Sequence, residues 1–440
     1  MIVLSDLLKG RGRKAVEENM KIKKLQKAVG KITVPGDKSI SHRSVMFGAI
    51  CDGVTHIKGF LPGADCMATI DCFRKMGVRI DAEKENVTVY GAGLFGLKKP
   101  ESVLYTANSG TTTRLMSGML AGQRFDSVVE GDESVAKRPM SRITKPLRLM
   151  GAEIEGDFCP MKIHGASLSG IRYVSPVASA QVKSAVILAA LYADGETVFE
   201  EPEKSRDHTE RMLKSMGADI ECEKNTVRIQ KTEKLAAADI DVPGDISSAA
   251  FFMVLAAVTK DSCITMKNVG INPTRTGIID VLKDMGADIY ITNERCAMGE
   301  PSADITVRTS QLHGIEMGGK IIPRLIDEIP IIAVAALFAE GTTVIKDAAE
   351  LKVKETNRID AVVCELKKCG ADIEATADGM IIRGKRPLCG ADFSAYKDHR
   401  MAMSLAVLAQ GIDGECTIDD SECVNISYPG FFEDLYSLDD

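Results

Sequence analysis

Apolar and polar positions along this chain follow one pattern that recurs six times. A strongly apolar stretch of helical length is followed by a short polar turn and an alternating strand. The turn and strand begin at Gly53-Val54-Thr55-His56-Ile57-Lys58 and recur at Phe125, Gly195, Asp261, Gly341 and Gly414. These six starts lie 66 to 80 positions apart. A second signature is interleaved: Lys75-Met76-Gly77-Val78, with its equivalents at Gly151, Gly217, Gly286 and Gly370. Each reads as a helix closed by a C′ glycine, where left-handed backbone suits a residue without Cβ. A strand follows, then a polar turn and, in most copies, another alternating strand such as Val87-Thr88-Val89-Tyr90 or Thr226-Val227-Arg228-Ile229.

The predicted unit is helix, strand, helix, strand, strand. There are six first halves and five second halves. Residues 21–26 and 31–34 are expected to supply the closing strands that the sixth copy lacks. Val34-Pro35-Gly36-Asp37 recurs as Val242-Pro243-Gly244-Asp245, with three units between and three after. The pattern therefore predicts two similar domains, 36–242 and 20–35 with 243–440, crossed twice by the chain. The first helix of each unit is apolar all round, as in Ala185-Val186-Ile187-Leu188-Ala189-Ala190-Leu191. Such helices are buried, so they are expected inside each domain with sheets outside, an α/β (α+β) fold. Residues 1–19 fit no repeat, and Met20 looks like an ordinary start. They are expected to be a disordered extension or a mis-called start.

Composition narrows the function. At 440 residues the chain is long enough for two or three domains. A net charge of -7 and a pI of 5.6 are not the signature of a nucleic-acid binder. An anion site must therefore be a local collection of Lys and Arg. The 12 cysteines form no C-x-x-C pair and no zinc spacing. Scattered single cysteines suggest a reducing cytosol, so a cytoplasmic protein is expected. Most read as core filler, with none beside the polar helix starts. The longest apolar runs, 248–258 and 329–339, are too short to span a bilayer. The N-terminus lacks a signal-peptide core. Gly91-Ala92-Gly93-Leu94-Phe95-Gly96 matches a dinucleotide fingerprint, but Pro100 blocks the helix such a site needs.

Buried helices leave their polar first turns to explain. Those starts carry Lys38-Ser39, Asn108 to Arg114, Ser179-Ala180-Gln181, Asp245 to Ser248, Asp327-Glu328 and Lys397-Asp398-His399-Arg400. Capping accounts for the Ser, Thr, Asn and Asp, but not for Lys38, Gln181, His399 or Arg400. Parallel helices would aim six positive N-termini at one cleft. Second-helix starts add Arg138, Ser205 and Lys354-Glu355-Thr356-Asn357-Arg358. Lys354 and Arg358 are expected to share a helix face as an i,i+4 pair. The cleft suits one or two small substrates with several negative charges. Asp327 and Glu355 are carboxylates among cations and fit proton transfer. Each fits a plain cap or ion pair equally well.

Taken together, Gly36 to Arg43, Asn108 to Arg114, Lys137-Arg138-Pro139, Ser179-Ala180-Gln181, Val353 to Arg358 and Asp398 to Met403 resemble the signatures of 5-enolpyruvylshikimate-3-phosphate synthases. The resemblance runs from about Met20 to Leu435. It implies two domains of three βαβαββ units, the inside-out α/β barrel of enolpyruvyl transferases. It also implies the reaction: shikimate 3-phosphate and phosphoenolpyruvate give enolpyruvylshikimate phosphate and inorganic phosphate, with no metal or organic cofactor. A monomer is expected, with no nucleic-acid or membrane partner.

Carried over by position, the resemblance implies that Lys38 touches both substrates. Ser39, Arg43, Ser179, Gln181 and Ser205 would hold shikimate phosphate, and Asp327 and Lys354 its ring hydroxyls. Gly110, Arg138, Arg358, Arg400 and Gln181 would hold phosphoenolpyruvate. Asp327 and Glu355 would move protons, with Lys38 and His399 assisting. The family's inhibitor glyphosate would find room beside Gly110, where insensitive members often carry Ala. Three positions depart from the pattern: Glu350 replaces an Asn, Ala180 a Ser, and Ile426 a Lys of some members. Two other readings stand beside this one. One is the related transferase acting on UDP-N-acetylglucosamine, which usually carries a Cys in the loop equivalent to 125–138, absent here. The other is a non-catalytic binder of phosphorylated metabolites.

Overall fold

The computed structural model describes residues 19–439; the expected extension therefore falls almost wholly outside the described residues. The apolar stretches form central helices at Lys38–Ile50, Gly110–Ala121, Ala180–Ala190, Ile246–Val258, Ile329–Phe338 and His399–Gly411. Asp37, Ser109, Ser179, Asp245 and Asp398 each cap one, accepting from a backbone N–H two or three residues on. This satisfies donors that a helix start leaves without partners. The helix Ile329–Phe338 has Pro330 in its first turn instead, where its missing N–H is no loss. Every residue from 246 to 257 and from 329 to 337 is buried. Burying a side chain such as Phe252 or Ile332 contributes about 1.5–3 kcal/mol.

Six small, separate sheets cover these helices. In the second unit, Leu104–Tyr105 runs parallel to Ser127–Glu130 across the central helix. Met161–His164 and Glu153–Glu155 then add antiparallel strands. The unit is thus βαβαββ, a parallel crossover followed by a hairpin. Gly77, Gly151, Gly217, Gly286 and Gly370 have φ between 84° and 99°, the left-handed backbone that the repeat signature calls for. Residues 93–103, after the false dinucleotide motif, form a turn and irregular chain with no helix. Among the described residues no helix is long and apolar enough to cross a membrane.

The N-terminal strands differ from expectation. Met20–Lys21 does join the sixth sheet, antiparallel to Thr417–Ile418. Val29–Ile32 does not follow it, and instead runs parallel to Cys263–Gly270 in the fourth sheet. The reason lies at the crossovers. Ile240–Asp241 stays behind in the first half, parallel to Asp52–Lys58. That leaves the edge beside Cys263–Gly270 open, and an open edge needs covering. Each crossover strand thus pairs within its own half.

Two hydrophobic cores result, one within residues 40–242 and one within 22–34 and 246–438. At the crossovers the two Val-Pro-Gly-Asp segments pair antiparallel through Gly36 and Gly244. The Asp37 N–H donates to the Pro243 carbonyl at 2.8 Å, and the Asp245 N–H to the Pro35 carbonyl at 2.9 Å. A third tie is the hairpin of Asp288–Ala297 and Glu300–Arg308, whose tip packs Met298 against the first core. There the carboxylate of Glu300 meets His208 at 2.8 Å, and Arg211 donates to the Gly299 carbonyl at 2.8 Å.

Candidate active site

The polar helix starts from both halves meet in one cleft. Lys38 opens the helix Lys38–Ile50, and its ammonium contacts Asp65. Burial works against the Lys38 charge, but Asp65 and the nearby Glu355 hold its pKa above the usual lysine value. Glu355 comes from the other half, so these two groups face each other across the cleft.

Asp327 is the hub of the second half. Its carboxylate accepts from Arg206 at 2.6 Å, and lies 3.3 Å from both Lys354 and Arg358. Burial opposes ionisation there, but Lys354, Arg400, Arg206 and Arg358 hold the Asp327 carboxyl well below the usual range. Arg358 is 1% exposed and also reaches Glu355 at 2.7 Å and Asp398 at 2.8 Å. Glu355 is likewise held well below the usual range, against burial, chiefly by Arg358 and also by Lys354. His399 is neutral at pH 7: burial, then Arg400, push its pKa down to about 4. Arg400 donates to the Asp327 carbonyl at 3.3 Å.

The expected shared helix face of Lys354 and Arg358 is not there. Asn357 caps the N–H of Asp360, so the helix begins at Arg358, and Lys354 sits in extended chain after the 3-10 turn Ala349–Val353. The two cations still converge, on Asp327 rather than along a helix.

In the first half, Gln181 accepts from Arg114 at 2.8 Å and donates to Thr111 at 3.1 Å. Arg138 donates to Ser134 at 3.0 Å. Among the described residues neither Arg114 nor Arg138 pairs with a carboxylate, and both flank Gly110. A Cβ at Gly110 would lie 2.7 Å from the Arg114 guanidinium and 3.3 Å from that of Arg138. Burial, with repulsion from Arg138 and Arg142, brings the Arg114 pKa down to about 10. Two guanidiniums crowded together without direct carboxylate partners favour an incoming anion.

Ser39 and Ser179 lie at their helix starts as expected. Arg43 is buried one turn in, donating to the Ser39 carbonyl at 3.0 Å and to the Thr209 and Ser184 hydroxyls at 2.7 and 2.9 Å. Among the described residues the buried Ser205 hydroxyl has no hydrogen-bond partner. Its loop is held by Lys183, which contacts Glu201 at 2.7 Å, Glu210 at 2.9 Å and the Ser205 carbonyl at 3.2 Å. Of the departures, Glu350 pairs with Arg142 of the first half at 3.2 Å. The Ile426 carbonyl lies beside Gly63, 2.9 Å from where its Cβ would stand.

Sequence reasoning missed Arg206, Asp65 and Lys183, and gave Arg114 no role of its own although it named the helix start Asn108 to Arg114. Arg114 and Arg206 were within reach, since one sits a helical turn after Gly110 and the other next to Ser205. The cysteine expectation needs two corrections. Only Cys51, Cys66, Cys72, Cys159, Cys369 and Cys416 are buried. Cys66 does sit at a polar helix start, its sulfur 3.9 Å from the Lys38 carbonyl. Burial raises its thiol pKa far above the usual value, so it is no thiolate nucleophile.

Comparison with known proteins follows the same outline. The family model described as EPSP synthase (3-phosphoshikimate 1-carboxyvinyltransferase) matches residues 22–435. The chain belongs to the EPSP synthase family. A 3-phosphoshikimate 1-carboxyvinyltransferase of Bacillus cereus (strain B4264) is 59% identical, over 93% of this chain and 96% of that protein. The Bacillus subtilis (strain 168) protein of the same name is 58% identical, over 95% of this chain and 99% of that one. The solved EPSP synthase of Acinetobacter baumannii superposes with a TM-score of 0.87 at 50% identity, covering 95% of this chain and 97% of that one. The enolpyruvyl transferase NikO of Streptomyces tendae shares the fold, with a TM-score of 0.78 at 16% identity, covering 95% of this chain and 96% of that one.

Proposed function

We propose that this protein transfers the enolpyruvyl group of phosphoenolpyruvate to the 5-hydroxyl of shikimate 3-phosphate, releasing phosphate. It does so as a cytoplasmic monomer serving aromatic amino acid biosynthesis. One observation supports the reading: among the described residues Arg114 and Arg138 flank Gly110 without carboxylate partners, while Lys38 of the first half lies within electrostatic reach of Glu355 of the second.

C3 of phosphoenolpyruvate is protonated as the 5-hydroxyl attacks C2, and phosphate then leaves the tetrahedral intermediate. Phosphoenolpyruvate lies against Gly110, Arg138, Arg358, Arg400 and Gln181, with Arg114 as a further cation. Shikimate phosphate lies against Lys38, Ser39, Ser179 and Ser205, with Arg43 beneath and Arg206 added. Lys354 and Asp327 take its ring hydroxyls. Asp327 and Glu355 are poor proton carriers in the resting site, because cations hold their pKa values low. Two bound anions offset those cations and bring both carboxylates toward the range where they exchange protons. The fixed cations then face the charge that develops on the departing phosphate. Phosphate release that requires both substrates tests the reaction. Release with UDP-N-acetylglucosamine instead, or binding without turnover, would replace it with one of the other readings.

The two halves, 36–242 and 20–35 with 243–440, act as domains that close on shikimate phosphate. Arg206–Asp327 and Arg142–Glu350 already bridge the cleft, and the substrate replaces the first pair with its own phosphate and hydroxyls. Small-angle scattering should show a smaller radius of gyration with shikimate phosphate, at the mass of one chain. An identical radius with and without it would rule closure out.

Gly110 also sets inhibitor size. Gly110→Ala forces the Arg138 end aside slightly and the Arg114 end, 2.7 Å from the new Cβ, aside by more, against its hydrogen bond to Gln181. Phosphoenolpyruvate keeps its place, whereas the longer glyphosate loses room. The ratio of the glyphosate inhibition constant to the Michaelis constant for phosphoenolpyruvate should rise by about tenfold or more. An unchanged ratio would mean that Gly110 does not line this subsite.

A further inference from the structure

The pivot between the halves holds a buried guanidinium that the reaction above does not use. Arg275 is 2% exposed. It contacts Asp37 at 3.2 Å and Asp245 at 2.9 Å, and donates to the Ser247 hydroxyl at 2.7 Å. Asp37 and Asp245 are the caps of the two crossover helices. The other oxygen of Asp245 accepts from the backbone N–H of Lys38 at 3.3 Å. Ser247 in turn donates to Glu328, the residue after Asp327.

One side chain thus touches both crossovers and leads, by two short paths, to Lys38 in one half and Asp327 in the other. The backbone around it has little slack. A Cβ on Gly36 would lie 1.8 Å from the Gly59 carbonyl, and one on Gly244 would lie 2.7 Å from Val34. Burial alone disfavours the Arg275 charge, but Asp245, Asp37, Glu328 and Asp327 hold its pKa above the usual arginine value. Burying such a cluster is costly, and apolar side chains of similar volume would fill the space at least as stably. Stability alone therefore gives no reason for a cation here, whereas fixing three segments against one another does.

We infer that Arg275 is a positioning residue, holding Lys38 and Asp327 in register across the pivot on which the halves turn. The inference rests on the proposed reaction, in which both groups act on one substrate. A displacement of about 1 Å in such a pair costs about 100-fold in rate.

Arg275→Gln, Arg275→Lys and Ser247→Ala test it, with kcat, Michaelis constants, the dissociation constant of shikimate 3-phosphate and melting temperature measured for each. Arg275→Gln should lower kcat by about 100-fold while changing the shikimate phosphate dissociation constant by less than about fivefold. Arg275→Lys reaches one carboxylate rather than two, and should recover about a tenth of the normal kcat. Ser247→Ala cuts only the path to Glu328 and should lower kcat by about tenfold, with a lower melting temperature because buried Glu328 loses its hydrogen-bond donor. If Arg275→Gln melts lower but keeps kcat within about threefold, Arg275 is structural and the inference fails. Should Arg275→Gln not fold, Ser247→Ala decides: an unchanged kcat overturns the inference. The unchanged protein, assayed alongside, separates the two failures. No phosphate release from it overturns the reaction and this inference with it, whereas normal release by every variant overturns this inference alone.

Discussion

Lys38→Met should lower turnover by about three orders of magnitude or more, as expected when both a substrate cation and a proton-transfer group are lost. Lys38 opens a central helix, touches Asp65 and faces Glu355 from the other half. Met keeps the length and apolar stem of the side chain, so the helix start is preserved. The cost in stability is on the order of 1 kcal/mol, because Asp65 loses its partner while the Lys38 side chain was already 24% exposed. Lys38→Met with Asp65→Asn removes that unpaired charge and should restore the melting temperature but not the rate. Phosphate release and thermal melting on the single and double variants decide it. Release by Lys38→Met within tenfold of normal would remove Lys38 from the chemistry.

Much of this site is legible in the sequence because its groups stand at helix starts, and helix starts are local. Caps such as Ser109 and Asp398, and the left-handed glycines Gly77 to Gly370, depend on a few adjacent residues. The six-fold repetition multiplied each weak signal. Pairings across distance were not legible. Nothing local tells Val29–Ile32 to join Cys263–Gly270 rather than the sixth sheet. That choice follows from which edge the crossover leaves open. Cys66 beside Lys38, and Lys183 beneath Ser205, are contacts between elements that are not neighbours along the chain. The Lys354–Arg358 expectation failed for the opposite reason. A local rule was applied across a helix start that Asn357 places one turn later. Arg275 has no local signature either, since its partners Asp37 and Asp245 look like ordinary caps until the crossovers are brought together.

Asp327→Asn keeps the shape of the hub and removes its charge, and it should separate binding from turnover. In the intact site Arg206, Lys354 and Arg358 all point at this carboxylate, and Arg400 holds its backbone carbonyl. An amide cannot accept a proton from the substrate hydroxyl, so kcat should fall by about 10²- to 10⁴-fold. Binding should move the other way. Cations that Asp327 had neutralised become available to the substrate phosphates, so the dissociation constant of shikimate 3-phosphate should stay level or fall. The same freed cations repel one another in the empty site. Inorganic phosphate should therefore raise the melting temperature of Asp327→Asn more than that of the unchanged protein, since a ligand that binds only the folded state stabilises it more the more tightly it binds. Isothermal titration with shikimate phosphate, turnover assays and melting with graded phosphate measure the three effects. Turnover within tenfold of normal would show that another group takes the hydroxyl proton. A weaker dissociation constant with no added response to phosphate would show that Asp327 anchors the substrate ring rather than restraining the cations around it.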